Sequence, residues 1–171
     1  EGIKYIAEKA GKEYILKIFF KSSFHNMHSL FALQMRLARL DKITDAHIAR
    51  VAEVNQTHSP AYMAAEYVHG VSMAEIKKYN PERLNEDLVR RIMPTLIQAA
   101  RQIRKHDLTI ADLTLNGIML DDKNEPVILS SAISYEESDE QDDVFKLAMI
   151  SLATTAASKI PGFDRLLEQW N

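Results

Sequence analysis

Ile110-Ala111-Asp112-Leu113-Thr114-Leu115-Asn116-Gly117-Ile118-Met119-Leu120 is followed by Asp121-Asp122-Lys123-Asn124, and then by Val127-Ile128-Leu129-Ser130-Ser131-Ala132. Two short apolar runs, Ile118 to Leu120 and Val127 to Leu129, flank a polar turn, and this pattern predicts a β-hairpin. Asp121 and Asp122 fall in the turn, where short acidic side chains bond to nearby backbone amides, so turn chemistry is their expected work. The loop ahead of the hairpin carries a single acid, Asp112.

Working outward, residues Ile3 to Phe20 read as another hairpin, with Lys9-Ala10-Gly11-Lys12 at its centre. Strand alternation puts Lys17 on the same face as Ile15 and Phe19. Taken alone, such a lysine is a strand residue that snorkels to water. Phe24 to Leu40 predicts a helix, with Leu30, Leu33, Leu37 and Leu40 at helical spacing and no acidic residue along its length. His25 and His28 lie one turn apart on it. That spacing suits two metal ligands, but no third ligand is near, and surface or capping roles are expected.

Ile48 and Val51 lead to a strand at Tyr62-Met63-Ala64-Ala65-Glu66-Tyr67-Val68-His69-Gly70. Ser72 and Glu75 then form the S-x-x-E pattern of a helix capping box. A long helix is predicted from Asn85 to His106, where Leu88, Ile92, Leu96, Ala100 and Ile103 make a core-facing stripe. Pro94 should kink or break it. Beyond the second hairpin, six acids fall among the eight residues Glu136 to Asp143, which reads as a solvated loop. Small residues at Thr154 to Ser158 and Pro161 precede a last helix around Leu166 and Leu167.

Composition narrows the function classes. The chain has 171 residues, 46% of them apolar and 26% charged, as expected of a globular domain able to bury a core. Its net charge of −3 gives no reason to expect nucleic acid or an anionic membrane surface as a partner. It has no cysteine, which rules out disulfides, thiolate metal sites and cysteine nucleophiles. No apolar run reaches membrane-spanning length and no signal peptide is visible. The sequence opens at Glu1, within a strand pattern, so it is expected to be one domain of a longer chain with neighbouring domains.

The order of these elements resembles that of protein kinases. Ile110 to Leu120 resembles the family's catalytic loop and the strand after it, written HRDLKPEN-ILL. Asp112 stands at the HRD aspartate, Thr114 at the loop lysine and Gly117 at the metal-binding asparagine. Ser130 stands at the DFG aspartate. Asn116 is one place early and would reach the gap only if the loop were one residue short. Tyr14-Ile15-Leu16-Lys17-Ile18 resembles the VAIK strand, with Lys17 at the phosphate-pairing lysine and Ile15 at the small alanine beside the base. The resemblance puts Leu33, with Gln34 beside it, at the glutamate that pairs with this lysine. Tyr62 to Gly70 resembles the strand and hinge written MEYV-x-G, with Ala65 as gatekeeper and Glu66, Tyr67 and Val68 as hinge backbone. Asp143-Val144-Phe145-Lys146-Leu147-Ala148 resembles the start of the large-lobe helix, DVWSLG. Ten residues separate Ala132 from Asp143, where the family carries its activation segment.

The resemblance implies an α+β, protein-kinase-like bilobal fold in truncated form. Residues 1–68 would be a partial N-lobe, a short sheet with one helix and without the glycine-rich strand. Residues 69–171 would be a short, mainly helical C-lobe. In the family two magnesium ions held by the DFG aspartate and the loop asparagine carry much of the chemistry. Ser130 and Gly117 offer neither ligand, so the resemblance implies a pseudokinase that binds a protein partner and regulates rather than transfers phosphate. Lys17, Asp112 and Ser130 are then degenerate positions, with no metal and no cofactor expected. Asp112 and Asp143 are expected to serve the architecture, Asp143 by accepting backbone hydrogen bonds. If a nucleotide enters, the resemblance places Lys17, Glu66, Val68 and Met119 around it. The alternatives are an atypical, weakly active phosphotransferase and a metal-independent nucleotide switch. A cytoplasmic location is expected, and the helix Phe24 to Leu40 is the expected partner surface.

Overall fold

The computed structural model describes residues 2–19, 35–55, 60–110 and 114–134. Several expectations lie outside these residues: Asp112, the helix before residue 35 with His25, His28, Leu33 and Gln34, the acidic run from Glu136, Asp143, and the last helix.

The fold is α+β. β1 (Gly2–Lys9) and β2 (Lys12–Phe19) form an antiparallel hairpin in which Lys4 faces Lys17 and Ile6 faces Ile15. A two-residue turn joins them, with Ala10 at φ 54° and Gly11 at φ 74°. Positive φ at both positions is the turn geometry whose twist matches the flanking strands. β3 (Val51–Asn55) and β4 (Tyr62–Glu66) complete a four-stranded sheet in the order β1-β2-β4-β3. Residues 35–40 are helical (α1), and Leu37 and Leu40 turn into the core, as the leucine spacing predicts.

After Tyr67–His69 the chain enters β5 (Gly70–Ser72) and α2 (Met73–Tyr79). The predicted capping box is present. The Ser72 hydroxyl accepts from the Glu75 amide at 3.1 Å, and the Glu75 carboxylate accepts from the Ser72 amide at 3.0 Å. α3 (Glu86–Lys105) starts at Asn85, whose side chain accepts from the Leu88 amide at 3.0 Å. The helix runs through Pro94 without a break, and Pro94 is exposed. Its buried stripe is Val89, Ile92, Leu96, Ala99, Ala100 and Ile103. Leu88 is only partly covered, so the stripe is rotated slightly from the one read in the sequence.

The hairpin predicted around Asp121 is formed by β7 (Ile118–Asp121) and β8 (Pro126–Ile128), with β5 added alongside β7. Asp121 does turn chemistry, its carboxylate accepting from the Lys123 and Glu125 amides at 2.8 Å each. β6 (Thr109–Ile110) pairs with β9 (Ile133–Ser134), which brackets the loop between them and a 3-10 turn at Ser130–Ala132. One core joins these parts. Ile48 bridges Ile128 in parallel, the Ala49 amide donates to the Ile128 carbonyl at 2.9 Å, and the Ile128 amide donates to His47 at 2.8 Å. Among the described residues no helix is long and apolar enough to cross a membrane.

Candidate functional site

A cavity of about 260 Å³ lies between β2, β4, the Tyr67–Val68 link, β7 and the turn at Ser130. It gathers residues from distant parts of the sequence: Lys17, Glu66, Val68, Met119 and Ser130 all line it. Alternation along β2 brings Ile15, Lys17 and Phe19 to the same wall, as strand periodicity requires. Met63, Ala65 and Leu129 add apolar surface. Asp112, the remaining position singled out in the sequence, lies outside the described residues.

The charges in the cavity have one dominant sign. Lys4 stands directly opposite Lys17 in the hairpin register, and both line the cavity with Arg36 of α1. Burial lowers the Lys17 pKa, and the nearby charges of Lys4 and Arg36 lower it further. The Lys17 ammonium lies 5.2 Å from the centre of the Phe19 ring, and no described carboxylate pairs with it. Arg36 donates to the Ser130 carbonyl at 2.6 Å. Its Nε is buried without a hydrogen-bond partner among the described residues, and burial lowers its pKa also. Glu66 is the single acid lining the cavity among the described residues, and it sits at the end of β4.

The backbone around Ser130 explains why the loop cannot supply a metal ligand from Asn116. Gly117 is buried, donates to the Thr114 carbonyl at 2.9 Å and accepts from the Leu129 amide at 2.8 Å. Those bonds fix Gly117 beside the Ser130 turn and leave Asn116 exposed, away from the cavity lining. Magnesium requires hard oxygen ligands in near-octahedral geometry, usually with carboxylates among them. Here Ser130 offers a neutral hydroxyl, Gly117 has no side chain, and the Arg36 cation lies against the Ser130 carbonyl. The described residues therefore do not fit a magnesium site, and no group of three potential metal-ligating side chains occurs among them.

The link between β4 and β5 is held on both sides. The Glu66 amide donates to Arg50 at 2.9 Å and the Tyr67 amide to Glu13 at 3.1 Å. Tyr67 packs edge-on against His69, with ring centres 4.9 Å apart. The Val68 amide, on the cavity wall, has no hydrogen-bond partner among the described residues.

Two cavity residues, Lys4 and Arg36, were not singled out in the sequence. Lys4 carried a usable signal, since a two-residue turn at Ala10-Gly11 fixes it opposite Lys17. Arg36 carried none that separates it from a surface arginine on an amphipathic helix.

No protein-family model matches this sequence, and no curated protein matches it. The fold is nevertheless similar to solved structures. One of these, a kinase described as the apo form of PpkA-294, superposes with a TM-score of 0.58 at 17% identity. The match covers 84% of this chain and 54% of that one, so the chain spans about half the length of the kinase it resembles. At this identity the likeness speaks for a kinase-like fold and not for an activity, because one fold hosts many functions.

Proposed function

We propose that this chain is a kinase-fold domain that binds and regulates without transferring phosphate. The observation that carries this reading is the replacement of metal ligands at the cleft. Ser130 and Gly117 stand where the resemblance places the DFG aspartate and the loop asparagine, and Arg36 donates to Ser130. Phosphoryl transfer depends on positioning and on neutralising charge around metal-bridged phosphates. A cleft that offers a cation in place of two oxygen ligands is poorly suited to that chemistry. The truncated two-lobed arrangement and the role of a protein partner, with α1 as one face of the contact, belong to the same proposal.

The test is a phosphotransfer assay with magnesium and ATP, using a general protein substrate and a panel of small-molecule acceptors, with Asp112→Asn as control. No turnover above that of Asp112→Asn is expected. Turnover that Asp112→Asn abolishes would replace this reading with that of an atypical phosphotransferase.

A further inference from the structure

The cleft departs from a metal site in a particular direction: it is cationic. Three positively charged side chains face one cavity, while the walls between them are largely apolar. Lys4 and Lys17 sit directly across a strand pair, an arrangement that is unfavourable for like charges. Arg36 holds the Ser130 carbonyl with one arm and keeps a buried Nε unpaired among the described residues. A buried donor left unsatisfied is costly, so such a group is normally matched by an acceptor.

We propose that this cleft binds the polyphosphate group of a small molecule without any divalent cation. Lys4, Lys17 and Arg36 hold the anion, and the apolar part of the ligand lies against Ile15, Met63 and Met119. Several cations converging on one point suit a multiply charged anion better than a single carboxylate. The planar arginine fork and the lysine ammonium groups are both good phosphate donors. Magnesium should oppose this binding. Chelation removes charge from the phosphates and brings another cation to a site with no described ligand for it. The proposal rests on reading the cleft as a site that binds and does not transfer.

Titration calorimetry tests it, with inorganic tripolyphosphate and with ADP as probes, each in EDTA and in excess magnesium. Both probes are expected to bind in EDTA, with affinity at least about tenfold lower in magnesium. Lys17→Gln should weaken tripolyphosphate binding by about tenfold, as expected for loss of one charged hydrogen bond. Lys4→Gln lies at an exposed position that leaves the fold intact, and should give a smaller loss. Failure of both probes to bind in EDTA overturns the proposal, as does tighter binding in magnesium. Equal binding by the wild type and the Lys4→Gln/Lys17→Gln double variant places the anion elsewhere and overturns it too. ATP turnover in the magnesium samples would instead overturn the proposed function, and would leave the EDTA result to be judged on its own.

Discussion

Lys17 is held among like charges by the register of a hairpin, and a surface lysine can avoid that cost by moving away. Here β1 fixes Lys4 opposite it, and Arg36 approaches from α1. A directly opposed like-charge pair is unfavourable by roughly 0.2–1 kcal/mol. Lys17→Met keeps the length of the side chain and removes the charge, so it should stabilise the ligand-free domain by about that amount. In a domain of this size that is a rise in Tm of roughly 1–4 °C. The sign of the pH dependence follows from the lowered Lys17 pKa. The penalty is fully present below the folded-state pKa, where Lys17 is charged in both states. It fades as pH rises through that value towards the unfolded one. The advantage of Lys17→Met should therefore shrink at alkaline pH, and thermal melts from neutral to alkaline pH would show it. Gly70 is a second residue fixed by its surroundings. Its φ is 153°, and a Cβ built there would fall 2.0 Å from the Leu120 carbonyl oxygen. Backbone on both sides leaves nothing to move, so Gly70→Ala should cost more than about 3 kcal/mol, read as a shift of the urea midpoint.

Among the elements, α2 shows how much a local pattern can determine. Ser72 and Glu75 satisfy each other's amides across the first turn. Ser72→Ala removes the cap and should cost about 1 kcal/mol. Hydrogen bonds from Ser72 hold the Glu75 carboxyl below its usual pKa. Its contribution is therefore present above the ordinary glutamate range and is lost as pH falls through the lowered folded value. The gap between wild type and Ser72→Ala should close on acidification, which parallel urea titrations would measure. The box was legible in the sequence because all its partners lie within four residues. The two hairpins were legible for the same reason, with apolar runs flanking short polar turns. Pro94 was misread as a kink or break because the sequence does not show that its solvent-facing position lets the helix continue. The wall of the candidate site was half legible. Strand period placed Ile15, Lys17 and Phe19 together, but the bond from Arg36 to Ser130 spans 94 residues of sequence. No local pattern encodes it, since it depends on how α1 leans against the turn after β8.

Across the whole molecule, Ile128 is the joint on which both the core and the cleft depend. Its side chain is fully buried, its amide and carbonyl both bond to the His47–Ala49 segment, and it pairs with Ile118 across the hairpin. His47 adds a contact from its ring Nδ1 to the Pro126 carbonyl at 2.9 Å. The residues that follow, Leu129 and Ser130, line the cleft, so the position of the Arg36 acceptor is set by the seating of Ile128. Ile128→Ala leaves a cavity at this joint and should cost about 2–5 kcal/mol. Because one core runs through the four-stranded sheet, α3 and the hairpin, the loss should appear as a single transition at a lower urea midpoint. Tryptophan fluorescence and far-ultraviolet circular dichroism would check whether the two curves coincide. Separate transitions by the two probes would mean that the sheet and the hairpin fold independently, and that the cleft between them is not built by a shared core.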